Sequence, residues 1–325
     1  MADVFAYLEG FGASGGSPNK STIIVTAPTG STVTCKMGST TKTATEKNGV
    51  WTFGGLGLGT WTITSTKGGD SATQDVAITR LTVEYVTIVY RITPEFTYTG
   101  DYAIVDDSDN AISDFASWKN SWKIRFLTSG TFTVTKLNGW DGRLDVFLVG
   151  GGGNGETIRG ARGGGGGYTK TVKGISIAIA TPYTVTIGAS SGTSSAFGAS
   201  ANGASGANGG SGGGGGGSSS GTPGNGGSNG GNGTAGNVSG GGTGQGTTTR
   251  EFGESTGKLY SGGGGGSAAK AGAAGDSTAG AGAAFGGAAK NGVANTGGGG
   301  GAAYAGTAGH GGSGIVIARN ARRAA

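Results

Sequence analysis

Residues 144–153 read Leu-Asp-Val-Phe-Leu-Val-Gly-Gly-Gly-Gly, a short apolar strand that runs directly into four glycines. Four further glycine runs follow, and they occupy residues 163–167, 212–217, 262–266 and 297–301. A glycine chain in the polyproline-II conformation has three residues per turn, and without Cβ atoms several such chains can pack side by side and exchange backbone hydrogen bonds. The runs therefore predict a polyglycine-II-like lattice over residues 150–313, with core positions at Gly151, Gly165, Gly214, Gly264 and Gly299.

The composition is uneven along the chain of 325 residues. Residues 1–150 hold 18 of the 79 glycines and carry 12 basic and 14 acidic residues, whereas residues 151–325 hold the other 61 glycines with 11 basic and 4 acidic residues. With 5 prolines, 1 cysteine and 1 histidine, a collagen helix, a disulfide framework and a cysteine–histidine zinc site are excluded. A single imidazole, His310, also makes most enzyme classes improbable, so we expect a protein that is not an enzyme.

The residues before the glycine region predict an all-β fold. Residues 1–20 are rich in turn-forming residues and predict a flexible N-terminal arm, while residues 21–92 contain seven short β-type segments and an Asn48-Gly49 hairpin turn. We therefore expect an immunoglobulin-like or prealbumin-like sandwich at 21–92 and a second β domain at 93–325 that encloses the lattice. Residues 38–78, with the characteristic stretch at 48–64, also resemble the carboxypeptidase-regulatory or PEGA-type β-modules, which implies a rigid spacer or anchor.

The glycine region itself admits two interpretations. Residues 198–249 have Val238 as their only large aliphatic residue and no aromatic residue, a composition typical of disorder. However, strands at 144–149 and 314–319 bracket the region in sequence, which indicates that it is held between two halves of one fold. Aromatic residues are also interleaved with the runs, and a plain linker would not need them: Tyr168, Phe197, Phe252, Tyr260, Phe285 and Tyr304.

Five motifs occur in a fixed order along the chain, at residues 122–134, 144–153, 163–172, 183–189 and 311–319. Together they resemble the glycine-rich domain found in tail proteins of phages and prophages of Gram-positive bacteria, and they are similar to the glycine-rich adhesins of tail-fibre tips. The resemblance implies a virion protein in which a glycine lattice supports loops that touch a receptor. It carries over no individual receptor-contacting residue.

Several motifs carry weaker chemical hypotheses. Residues 150–155 match the dinucleotide fingerprint G-x-G-x-x-G, but no helix and no suitably placed acidic residue follow, so no cofactor is expected. The acidic segment Asp106–Asp114 lacks the glycine and glutamate of an EF-hand, which favours a turn and leaves calcium binding open. The basic residues are scattered along the chain, and Arg162-Gly163-Gly164 is a single Arg-Gly-Gly motif that is not repeated. Nucleic-acid binding is therefore not expected.

The segment 247–260 is the one part of the glycine region in which both charges and large side chains gather. Such loops on rigid scaffolds often bind partners. The same side chains could instead cap the glycine lattice. The candidate receptor-binding residues are Arg250, Glu251, Phe252, Lys258 and Tyr260.

Together these observations predict a non-enzymatic phage virion component, made in the host cytoplasm, with no membrane insertion. The expected function is host attachment as a tail-fibre or tip receptor-binding protein, whose partners are other virion proteins and a host cell-surface glycan or protein. A structural head-fibre, capsid-decoration or baseplate protein is the first alternative, and an ice- or matrix-binding glycine-rich protein is the second. Trimerisation stays open, because fibres are commonly trimeric but no heptad or β-helix period occurs here.

Overall fold

A computed structural model of the chain describes residues 20–27, 29–67, 70–88, 93–118, 120–138, 140–217, 221–226, 230–244 and 249–320. The predicted N-terminal arm, residues 1–20, lies outside this set apart from Lys20. The chain divides into two compact units. The first contains Met1–Thr93 with Asn138–Trp140, and the second contains Pro94–Leu137 with Asp141–Ala325.

The first unit contains two β-sheets. Its strands are β1 (Ser21–Thr26), β2 (Thr32–Met37), β3 (Thr40–Thr43), β4 (Val50–Leu56), β5 (Gly59–Lys67), β6 (Asp70–Ile78) and β7 (Val83–Thr87). One sheet has the order β4-β1-β7 and the other β3-β2-β5-β6. Alternate residues of β1, β4 and β5 are buried, and Trp51, Phe53 and Trp61 are the largest side chains of the shared core. The alternation is that of sheets with one buried and one solvated face.

The predicted Asn48-Gly49 turn is present between β3 and β4, although these two strands belong to different sheets. Asn48 and Gly49 have φ angles of 52° and 76°, the positive values that a type I′ turn requires at both central residues. Lys47 and Val50 exchange both backbone hydrogen bonds across the turn, at 2.9 and 3.1 Å. The turn itself is confirmed, whereas β3 and β4 do not pair across it as a hairpin.

The described part of the second unit contains three β-sheets. Its strands are β8 (Glu95–Tyr98), β9 (Tyr102–Val105), β10 (Lys123–Phe126), β11 (Gly130–Lys136), β12 (Arg143–Val149), β13 (Thr169–Ser176), β14 (Pro182–Val185), β15 (Ser194–Ala196), β16 (Ala199–Ala201) and β17 (Ile315–Asn320). The sheet orders are β13-β12-β17-β10-β9, β14-β11-β8 and β15-β16. Phe126 of β10 and Phe132 of β11 are fully buried, with ring centroids 5.5 Å apart.

The last strand closes the fold around the glycine region. β17 pairs antiparallel with both β12 and β10, so the chain returns between two strands that precede the glycines. The bracketing expected from the sequence is therefore confirmed. β13 begins at Thr169, directly after the run 163–167, where Thr169 pairs with Val149 of β12.

The glycine runs pack side by side with a register of three. The N–H groups of Gly212 and Gly215 donate to the carbonyls of Gly231 and Thr234, and those of Gly214 and Gly217 donate to Gly264 and Ser267. Donors three residues apart thus reach acceptors three residues apart in the same neighbouring segment. This is the spacing of a three-residue turn, and it defines the structure that we call the glycine lattice.

The all-β fold class is confirmed. Within the described ranges the helical elements are the short 3₁₀ turns Phe115–Ser117 and Glu251–Gly253. None of the described helical residues forms a segment long and apolar enough to cross a membrane.

Candidate functional site

The five glycines predicted for the lattice core are all buried. Each donates its N–H to a carbonyl of another segment at 2.8 Å: Gly151 to Gly192, Gly165 to Gly206, Gly214 to Gly264, Gly264 to Gly164 and Gly299 to Gly262. A Cβ added at any of these positions would meet neighbouring backbone atoms closer than 3.0 Å. Only glycine fits, and the dense hydrogen bonding makes the lattice a rigid support.

The end of the lattice remote from the sheets carries exposed large side chains. Ile158, Val238 and Phe285 are 64%, 57% and 45% exposed, and the ring of Phe285 contacts that of Tyr304 edge-on at 5.3 Å. The backbone hydrogen bonds that connect these turns run from Ala269 to Val238, from Phe285 to Ala268, from Gly286 to Tyr304 and from Ala303 to Glu156. We call the turns that contain Ile158, Val238, Phe285 and Tyr304 the lattice tip.

The position of the lattice tip follows from the rise of the chain. Glu156 follows Gly150 by six residues, and a rise of about 3.1 Å per residue puts it roughly 19 Å beyond the end of β12. Phe285 and Tyr304 are among the aromatic residues interleaved with the glycine runs, whereas no sequence pattern predicts a site at Ile158 or Val238. Their common location depends on contacts between segments far apart in the chain.

The predicted receptor loop 247–260, described from Thr249 onward, lies at the opposite end, on the five-stranded sheet. Glu251, Phe252 and Tyr260 are 4%, 5% and 1% exposed, whereas Arg250 is partly exposed and Lys258 is exposed. Phe252 and Tyr260 pack with Phe147 in a core that includes Ile315 and Ile317. Three of the five candidate side chains are therefore covered, and the loop packs on the five-stranded sheet. Receptor contact by Arg250 and Lys258 stays a prediction.

A charged cluster anchors this loop to the sheet. Glu251 accepts from Lys123 Nζ at 2.9 Å and from the Tyr260 hydroxyl at 3.2 Å, and it lies 3.4 Å from Arg125. Asp109 pairs with the same two cations, at 2.6 Å from Lys123 and 2.7 Å from Arg125. Lys123 and Glu251 are each only 6% exposed at the side chain, so both need their partners.

These contacts shift the ionisation of the groups involved. Burial opposes the charge of Asp109, but the hydrogen bond from Lys123 and the nearby charge of Arg125 outweigh it and hold the pKa of Asp109 below its usual range. Burial, and next the neighbouring carboxylate of Glu251, raise the pKa of the Tyr260 hydroxyl well above its usual value. At neutral pH the carboxyl group of Asp109 is therefore ionised and the phenol of Tyr260 is protonated.

Arg319 extends the cluster along β17. In the paired strands it stands opposite Lys123 and Asp145, and its guanidinium contacts Asp145 at 3.4 Å and Glu254 at 2.8 Å. The guanidinium carbon also lies 3.9 Å from the centroid of the Phe252 ring, a cation–π contact. This cluster was not predicted from the sequence. The alternation of Lys123 and Arg125 with Ile124 and Phe126 was the available signal, because it places two cations on one face of a strand.

A cavity of about 460 Å³ opens beside these ion pairs. Charged and hydroxyl side chains line it: Asp107, Ser108, Asp109, Lys123, Glu251, Glu254, Thr256, Lys258 and Arg319. Most of these charges already satisfy one another, which makes the cavity a water-accessible rim of the anchoring cluster.

The segment Asp106–Asp114 forms a turn. Asp106 accepts hydrogen bonds from the N–H groups of Ser108 and Asn110 at 2.8 and 2.9 Å, and the amide of Asn110 chiefly lowers its pKa. Asp109 is directed to Lys123 and Arg125. Among the described residues no group of three or more potential ligands is arranged to hold a metal ion. Binding of calcium by this segment has no geometric support in the described structure.

A family model described as a glycine-rich domain matches residues 127–321. The chain therefore belongs to this glycine-rich domain family. The matched region begins beside β10 and ends within the last residues of the chain, so it includes the whole glycine lattice. A comparison with curated proteins finds no match.

Proposed function

We propose that this protein is a non-enzymatic phage virion component that attaches the particle to its host, as a tail-fibre or tip receptor-binding protein. The observation that carries the proposal is the lattice tip, where a rigid glycine lattice holds Ile158, Val238 and Phe285 exposed at its remote end. Exposed apolar side chains that gather in one place often mark an interaction site. The five ordered sequence motifs supply the link to tail proteins.

In this proposal each of the two units has its own function: the N-terminal sandwich joins the protein to other virion proteins, and the glycine lattice presents its tip to the cell surface. A rigid support matters because a binding surface that is already ordered loses little conformational entropy when it binds. The buried glycines of the lattice then contribute to binding through the rigidity of the support, although none of them touches the receptor.

The test is a competition experiment with the phage that encodes the chain. Excess purified protein should block adsorption of the phage to its host, and the Phe285→Ala and Ile158→Ser variants should compete more weakly than the unaltered protein. Antibodies to the protein should also label purified particles. Labelling without competition would favour the structural alternative of a head fibre, capsid decoration or baseplate protein. Absence of the protein from purified particles would refute the virion assignment.

A further inference from the structure

The charges of the lattice tip are unbalanced. Glu156 is occupied by Arg162, whose Nη2 lies 2.6 Å and whose Nε lies 3.0 Å from the same carboxylate oxygen. Arg159 and Lys270 are exposed at the same end of the lattice, and among the described residues neither has an ion pair. With Glu156 neutralised, the described part of the tip has an excess of positive charge.

Aromatic and aliphatic surface lies between these two cations along the tip. Phe285 packs its edge against Tyr304 at an interplanar angle of 79°, and 45% of Phe285 remains exposed. Lys270 is separated by one residue from Ala268, whose carbonyl accepts from the N–H of Phe285 at 3.1 Å. Arg159 follows Ile158 directly. The tip thus combines an exposed ring, aliphatic surface and two cations that form no ion pair with any described residue.

These features fit one class of ligand. Sugar rings present apolar C–H faces that pack on aromatic rings, and their acidic substituents accept charge-assisted hydrogen bonds from arginine and lysine. A nucleic-acid interface would instead cluster its basic residues along a face or stripe. We propose that the lattice tip binds an acidic cell-surface polysaccharide, with Phe285 and Tyr304 against the sugar and Arg159 and Lys270 at the carboxylate or phosphate groups. This inference rests on the proposed attachment function.

Three soluble polymers separate the contribution of the sugar rings to binding from the contribution of the negative charges. Carboxymethyl-dextran carries sugar rings and carboxylates, dextran carries the same rings without charge, and polyacrylate carries carboxylates without rings. At physiological ionic strength the full chain should bind carboxymethyl-dextran more tightly than either of the others, in a calorimetric or thermophoretic titration. Equal binding of polyacrylate and carboxymethyl-dextran would overturn the proposal, because the sugar would then contribute nothing.

Matched variants locate the site. The Phe285→Ala change and the paired change Arg159→Gln with Lys270→Gln should each weaken binding to carboxymethyl-dextran by about ten-fold, equivalent to about 1.4 kcal/mol. The paired change Lys42→Gln with Lys47→Gln removes the same charge from exposed positions in the first unit and should leave binding within two-fold. All these positions are exposed, so thermal melting should be unchanged. Equal weakening by the control pair would indicate unspecific charge attraction and overturn the proposal.

Adsorption assays distinguish this inference from the proposed function. If Phe285→Ala reduces competition for phage adsorption but no acidic polymer binds, the receptor is another kind of molecule, most simply a protein. Attachment would then stand and the polysaccharide inference would fall. If the Phe285→Ala variant competes as well as the unaltered protein, and no polymer binds, the tip has no role in attachment and both are refuted.

Discussion

Replacement of Gly214 by alanine adds a single carbon atom to the middle of the glycine lattice. That carbon would lie about 1 Å inside the 3.0 Å limit that real Cβ atoms keep, and the atom in its way is the backbone carbonyl oxygen of Gly242. Backbone cannot rotate aside as a flexible side chain can. The segment around Gly242 must therefore move away from the run 212–217.

The cost can be worked out from the hydrogen bonds that this movement breaks. Gly242 donates to Gly215 at 2.8 Å and accepts from Gly266 at 2.9 Å, and Gly214 itself donates to Gly264 at 2.8 Å. The two buried backbone pairs of Gly242, each costing about 1–3 kcal/mol when left unsatisfied, give a destabilisation of about 2–6 kcal/mol. For a unit of this size the melting temperature should fall by about 5–20 °C.

The matched control is Gly240→Ala. Gly240 belongs to the same unit, has no left-handed φ, and a Cβ built on it meets no atom within 4 Å. Differential scanning calorimetry should show a clear drop for Gly214→Ala and a change below about 1 kcal/mol for the control, since surface changes are usually that small. Hydrogen exchange across residues 212–217 should be slow in the unaltered protein. Equal melting temperatures for the two variants, together with fast exchange, would refute the lattice as a source of stability.

Four further outcomes are expected. Glu251→Gln should lower the free energy of unfolding by about 3–5 kcal/mol, because it leaves buried cations without their anionic partner. Lys136→Gln breaks an exposed ion pair and should cost less than about 1 kcal/mol. Urea unfolding measures both changes. The pKa of Asp109 is lower in the folded protein than in the unfolded chain, where it is near 3.9, so its ionised carboxylate stabilises the fold above that pH. This stability is lost as the pH falls through the lower pKa of the folded protein. The decline in melting temperature at acid pH should therefore be shallower in Asp109→Asn than in the unaltered protein. Burial raises the pKa of the Cys35 thiol to about 11, so a thiol reagent at pH 8 should label it only after denaturation, and rapid labelling of the native protein would contradict its burial. Deletion of residues 1–20 should give a folded protein that no longer enters particles, whereas normal incorporation would move the anchor to the sandwich.

Much of the fold could be predicted because its determinants are local. The Asn48-Gly49 pair specifies its turn through two positive φ angles, and the alternation in β1, β4 and β5 specifies which face is buried. The glycine lattice could be predicted from residue type alone, because five separated runs without Cβ atoms have a function only if they pack against one another. The bracketing strands then showed that the lattice belongs to one fold.

The sites were less accessible to sequence reasoning. The pairing of Lys123 with Glu251 joins residues 128 positions apart, and no short-range pattern connects them. The composition of the segment 247–260 is unusual, but it does not indicate which of the side chains are buried and which are exposed. Charged residues that bind a receptor and charged residues that anchor a loop are of the same types. The composition of the lattice tip depends on the lengths of several glycine runs. The length of each run determines how far from the sheets the following turn lies, and therefore which turns come together at the tip.

The register of three also limits how the glycine lattice can change in length. Loss of one glycine from the run 212–217 would rotate all following N–H groups by about 120°, so that donors now aimed at Gly264 and Ser267 would face a different neighbour. Loss of three glycines would shorten the run by one full turn and keep every direction. Viable insertions and deletions within the runs should therefore come in blocks of three residues, and a family of such proteins would vary in reach by steps of about 9 Å.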